Sequence, residues 1–195
     1  MAMRRRYLPL MDETLVAALA DAPPFPILIA PDPALRRKAA PVGAADAPKL
    51  REAIPRLFAA MYAAPGIGLA APQVGLALRL FVIDLQPEGR REPMVVINPE
   101  ILERSAEVET REEGCLSFPD QYADVTRPRA IRARWLDEAG SRHEAALEGL
   151  LARCFQHETD HLDGILFVDH ISALKRNMIM RRLAKRQREK DARRA

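Results

Sequence analysis

Gly149-Leu150-Leu151-Ala152-Arg153-Cys154-Phe155-Gln156-His157-Glu158-Thr159-Asp160-His161-Leu162-Asp163-Gly164 is the stretch on which the reading of this chain turns. A helix turns about 100° per residue, so one over 149–162 brings Leu150, Cys154, His157 and His161 within about 60° of one another. Gly164 sits where a left-handed residue ends such a helix. His157 and His161 then stand one turn apart, with a glutamate directly after the first. That is a chelating pair for a divalent metal, with a carboxylate beside it to handle protons. The pattern points to hydrolysis by metal-activated water and is silent on the substrate.

Working outward, 47–64 reads as a helix with Leu50, Ile54, Leu57, Phe58 and Met61 on one face, ended by Pro65-Gly66. A glycine-rich loop, Gly66-Ile67-Gly68-Leu69-Ala70-Ala71-Pro72-Gln73, follows it. Strand-like runs occupy 78–85, 94–98 and 101 to about 109. Residues 129–136 alternate as a half-buried strand does, and Asp137-Glu138-Ala139-Gly140 reads as a hairpin turn into 141–147. Ser172 is placed to cap a last helix running to about 190, with Leu174, Met178, Met180 and Leu183 as its apolar face. Short antiparallel strands between grouped helices read as an α+β fold.

With 48% hydrophobic and 29% charged residues over 195 positions, the chain is expected to form one globular domain. It has no apolar run of the 18 or so residues that a membrane span needs. Residues 1–24 begin with Arg4-Arg5-Arg6 and soon meet Asp12 and Glu13, which reads as an extension rather than a signal peptide. Two cysteines, Cys115 and Cys154, are too few for a disulfide-stapled secreted domain and suit a reducing cytoplasm. The net charge of +3 is uneven: 172–195 holds ten Lys/Arg against two Asp/Glu, and the remainder is mildly acidic.

Two histidines need a third protein ligand. The protease pattern that continues with a glycine and a third histidine fails, because Phe167 stands where that histidine belongs. The glutamate after His161 is Glu189, in the basic tail, which is a poor candidate. Four candidates remain. Cys154 shares the helical face, but it is seven residues from His161, about 10 Å along the axis, which is too far for one tetrahedral site. His143 on a strand and His170 in a loop read as ordinary surface histidines. Cys115, in Glu113-Gly114-Cys115-Leu116-Ser117, has the best context: a turn can set its thiolate over a neighbouring helix, and Gly114 permits close backbone approach. A Cys-His-His set leaves the fourth position to water, as catalytic sites do.

The glycine-rich loop, the Glu113–Ser117 run and Gln156-His157-Glu158-Thr159-Asp160-His161-Leu162-Asp163-Gly164 together resemble the three signature motifs of peptide deformylases, in order and at similar spacing. The resemblance implies an α+β fold with antiparallel sheets packed around a central metal-binding helix, followed by a C-terminal helix. It implies removal of the formyl group from N-terminal formylmethionine of nascent chains. The metal ligands would be Cys115, His157 and His161. The metal would be Fe²⁺, with Zn²⁺, Ni²⁺ or Co²⁺ able to occupy the site. Glu158 would be general base and then acid, and the Gln73 side chain with the Leu116 N–H would form the oxyanion site. Ile67, Leu150 and Cys154 would line the methionine pocket, with Gly68 and Gly114 against the substrate backbone.

The resemblance also implies a division into an extension over 1–24, a catalytic domain over 25–171 and a basic helix over 172–195. That helix would dock on the ribosome. A cytoplasmic monomer with no membrane partner completes the expectation. A metalloprotease and a ribosome-binding module with a dead site are the rivals. Cys115 argues against the first, and an intact Cys115, Glu158 and Gln73 against the second. Five positions depart from the family: Pro65 for a glutamate, Tyr122 for an arginine, Thr159 for a larger side chain, and Arg111 and Arg153 where an apolar wall is common. The two arginines are expected to form a polar rim. Asp160 points about 60° away from His157 and is expected to pair with Arg127.

Overall fold

The computed structural model describes residues 22–192. Nearly all of the expected 1–24 extension lies outside the described residues. The order is α1 (Ala47–Ala63), β1 (Gly68–Ala70), β2 (Leu80–Ile83), β3 (Met94–Arg104), β4 (Val108–Gly114), β5 (Tyr122–Pro128), β6 (Ala130–Leu136), β7 (Arg142–Glu148), α2 (Gly149–Leu162) and α3 (Ala173–Ala192). One antiparallel sheet runs β1-β2-β3-β6-β7, and β4-β5 form a separate antiparallel pair. This is the expected α+β fold.

The run Leu80-Phe81-Val82-Ile83 is apolar on both faces because a helix covers each face. Phe81 and Ile83 pack with Ala152, Phe155 and Leu162 of α2. Leu80 and Val82 pack with Ile54, Leu57, Phe58 and Met61 of α1. Alternate residues of a strand point to opposite faces, so one continuous apolar strand serves two cores. A third cluster joins Phe118, Val125 and Phe167 to Ile179 and Leu183 of α3. The face that α3 buries therefore differs from the expected one: Leu183 is buried, while Leu174 is 72% and Met178 46% exposed. Ser172 accepts from Lys175 N at 3.4 Å, as a cap would.

Three strands differ from their sequence reading. The breaks expected near 98–101 are absent, because β3 continues through Asn98, which takes a left-handed φ of 51° and is held by two hydrogen bonds to the Val42 backbone. The strand expected to run on to 109 stops at Arg104. Ser105 Oγ donates to Glu107 O, turning the chain into β4. β4 and β5 went unread because their sequences are polar: Thr110 faces Thr126, and buried Glu113 and Arg127 replace apolar contacts. The 137–140 turn forms as expected, with Asp137 Oδ1 accepting from Ala139 N and Ser141 N.

Candidate metal centre

Helix α2 carries His157 and His161 on the face toward the loop that follows β4. Gly164, at φ 72°, ends the helix, and a Cβ there would lie 2.4 Å from Arg36 O. The loop brings Cys115 over the helix, with its Sγ 3.3 Å from His161 Nε2. The donor atoms of Cys115, His157 and His161 all lie within 4.8 Å of one another. Ligands of a tetrahedral site with bonds of about 2.0–2.3 Å stand about 3.5 Å apart, so small side-chain movements suffice to close this set on one ion. His143, bonded to Asp137, and His170, bonded to Asp160, lie elsewhere. Cys154 is a wall: burial pushes its thiol well up, and its Sγ faces Ile67 O at 3.7 Å.

The second layer decides which nitrogens are available. Glu113 accepts from His157 Nδ1 at 3.1 Å and from Arg127 Nε and Nη2 at 2.7 and 3.0 Å. Burial raises the Glu113 pKa, but these hydrogen bonds outweigh burial and hold the carboxyl well below its usual range. An ionised Glu113 can only accept, so Nδ1 carries a proton, and Nε2 is the nitrogen at which a metal would replace the second proton of the ring. Burial pulls His157 down, yet its bonds to Cys115 and Glu113 hold it well above its usual value. Surroundings that draw positive charge onto a buried ring favour a cation. Burial, and then the His157 charge, push His161 well below its usual value, leaving it a neutral ligand. The chemistry of this donor set fits a divalent metal.

Glu158 is 4% exposed, and its Oε2 has no partner among the described residues. Burial raises its pKa to about 7. Gly68 makes room for it, since a Cβ there would meet Glu158 Oε1 at 2.5 Å and Cys154 Sγ at 2.8 Å. Gln73 is pinned: Ala70 N donates to its Oε1 at 2.8 Å, and its Nε2 donates to Ser117 Oγ at 3.2 Å and Cys115 Sγ at 3.5 Å. The Ala70 bond fixes which end of the carboxamide is the donor, and that end faces Cys115. Residues before α1 support this loop, with Leu28 N donating to Gln73 O and Ala30 N to Ser117 O.

A cleft of about 530 Å³ opens beside these groups, and Ile67, Gly68, Gly114, Leu116, Leu150 and Cys154 all line it. Tyr122 lies over Gly114 at its mouth, 63% exposed. The expected polar rim does not form as a pair. Arg111 stays at the surface with Glu109, whereas Arg153 is buried and bonded to Glu113. Asp160 accepts from Arg127 Nη1 at 2.7 Å, as expected, and also from His170. Sequence reasoning missed the tasks of Ser117, Glu113 and Arg153. The first two sit in the same motif as Cys115, which was the available signal.

Residues 24–177 match the family model described as "Polypeptide deformylase". The chain is 56% identical over 172 residues to a peptide deformylase of Rhizorhabdus wittichii, covering 85% of this chain and 97% of that protein. A Zymomonas mobilis peptide deformylase is 55% identical, covering 83% and 93%. Among solved structures, the peptide deformylase of Legionella pneumophila superposes with a TM-score of 0.79 at 45% identity, covering 86% of this chain and 98% of that one.

Proposed function

The chain belongs to the polypeptide deformylase family, and on that premise we propose that Cys115, His157 and His161 hold its divalent metal, with Glu158 as general base and acid. The enzyme is a metal-dependent hydrolase that removes the N-formyl group from the N-terminal formylmethionine of nascent polypeptides and releases formate. One observation carries the residue assignment: three donor atoms converge within 4.8 Å, beside a buried carboxylate oxygen that has no partner among the described residues.

When bound, the metal supplies Lewis acidity that polarises a carbonyl and lowers the pKa of water. Glu158 Oε2 takes the proton of the attacking water and gives one to the amine as the formyl C–N bond breaks. A pKa raised toward 7 by burial suits a group that must both take and give a proton near neutrality. Gln73 Nε2, held by Ala70 and Ser117, donates to the oxygen that gains charge, and the Leu116 N–H is the second donor in this reading. The methionine side chain enters between Ile67, Leu150 and Cys154, with Gly68 and Gly114 beside the substrate backbone.

The same reading takes Fe²⁺ as the metal, with Zn²⁺, Ni²⁺ or Co²⁺ as substitutes, so that a thiolate-bound iron site would be oxygen-sensitive. It assigns 25–171 to catalysis and 172–195 to ribosome docking, in a monomer working in the cytoplasm. Lys175, Arg181, Arg182, Lys185 and Arg188 support the docking role, because all face solvent on α3. No helix among the described residues is long and apolar enough to cross a membrane. Metal content tests the ligand set. Wild type should hold one ion per chain, and Cys115→Ser, His157→Ala and His161→Ala should each lose it. A variant that keeps a full complement removes that residue from the set.

A further inference from the structure

The cleft changes character from mouth to floor. Leu150, Tyr122 and Ile67 stand at the mouth, 53%, 63% and 37% exposed, whereas Cys154 and Arg153 are buried at 5% and 7%. Arg153 also lines the cleft, with Glu113 beside it, so a guanidinium and its carboxylate partner stand next to the apolar Ile67, Leu150 and Cys154. That group is rigidly held. Its Nη1 donates to Glu113 Oε1 at 2.6 Å and to Val125 O at 3.1 Å, and its Nη2 donates to Glu109 O at 2.6 Å. It is thus fixed to both β4 and β5. An arginine carries more N–H donors than these acceptors use. The neighbouring Glu113 carboxylate is shared with Arg127 and His157, so it offsets the Arg153 charge only in part.

We propose that Arg153 determines side-chain specificity, favouring substrates whose first side chain carries an acceptor near its end over a hydrocarbon of equal length. The inference rests on the reading that this cleft receives the side chain of the formylated residue. Methionine offers a weak acceptor, its thioether sulfur. Methionine sulfoxide offers a strong one, its S–O oxygen, at the same place in the chain. Norleucine offers none. Because β4 and β5 already hold the guanidinium, little ordering is lost when a substrate acceptor meets it. A hydrocarbon end excludes water from the remaining donors and gives them no partner, which is how a polar site rejects an analogue lacking the matching group. The enzyme accordingly deformylates chains whose first methionine has been oxidised.

The test compares formate release from three formyl tripeptides that differ only in the first side chain: methionine, methionine sulfoxide and norleucine. For wild type, kcat/KM for the sulfoxide should exceed that for norleucine by about tenfold, the scale of one hydrogen bond from a charged donor. In Arg153→Ile that ratio should fall to one or below, with norleucine gaining. Turnover of methionine with norleucine equal to or better than the sulfoxide in wild type overturns the inference and leaves the activity standing. This comparison needs no variant, so a poorly folding Arg153→Ile does not obscure it. Absence of formate from all three peptides contradicts the activity itself, and the inference falls with it.

Discussion

His157 Nδ1 donates to Glu113 Oε2 across 3.1 Å, and the same carboxylate is clamped by Arg127 and Arg153. One buried acid thereby orients the ring of a proposed metal ligand and is shared by two guanidinium groups, of which Arg127 also meets Asp160. Glu113→Gln keeps the shape and removes the charge. It should lower metal affinity about 10- to 100-fold. It should also destabilise the fold by about 3 kcal/mol, because two arginines lose a buried counter-charge. Metal titration and urea unfolding measure the two effects. Wild-type metal affinity in this variant contradicts the orienting role.

Glu158→Ala removes the proposed proton-transfer group and leaves Cys115, His157 and His161 intact. The expected result is a loss of more than about 100-fold in kcat with metal content unchanged. A smaller loss with metal retained gives the proton transfer to another group.

Gln73→Leu keeps the apolar part of that side chain and deletes the donor aimed at the metal ligands. We expect kcat to fall about 100-fold or more, the scale of one oxyanion donor. Its effect on KM should be small, since the charge that Gln73 meets develops during the reaction. A change confined to KM would make Gln73 a binding group.

Asp160 contributes stability that depends on pH. Burial raises its pKa, but the hydrogen bond from His170 and the charge and hydrogen bond of Arg127 bring it below its ordinary value. The folded chain thus binds this proton more weakly than the unfolded chain. The stabilisation is present in full above the unfolded value of about 4 and is lost as pH falls through the lower, folded value. Asp160→Asn should cost about 2 kcal/mol at pH 7, with the gap to wild type narrowing below about pH 4. Urea unfolding at both pH values reads it. Equal stability and metal content at pH 7 contradict the role.

Charge reversal on α3 separates docking from folding, which truncation of the tail does not. Removing everything after Leu174 would strip Ile179 and Leu183 from the cluster around Phe118 and Phe167. Exchanging Arg181, Arg182, Lys185 and Arg188 for glutamate leaves those contacts in place. Ribosome binding should then lose its affinity and its steep salt dependence, while turnover of short peptides stays at wild-type level. Undiminished binding contradicts the docking proposal.

Much of this was legible in the sequence because it rests on helical geometry and apolar periodicity. The spacing of His157 and His161, the Gly164 stop and the α1 face follow from 3.6 residues per turn. The β4–β5 pair was not legible, since its inward groups include the Glu113–Arg127 pair and polar strands carry no alternating signal. Arg153 misled for the same reason. A lone charge in sequence reads as exposed, and only the three-dimensional arrangement supplies the acceptors on β4 and β5 that make its burial tolerable. In α3, charged residues surround the apolar ones so closely that the face chosen by Ile179 and Leu183 emerges only from what it packs against.

The most direct test is formate release from a formyl-methionyl tripeptide, measured anaerobically alongside metal analysis of the same sample. Metal-loaded protein should release formate in step with the free amine, and chelation should abolish the activity until a divalent metal is restored. No formate from protein that holds a full complement of metal would contradict the account.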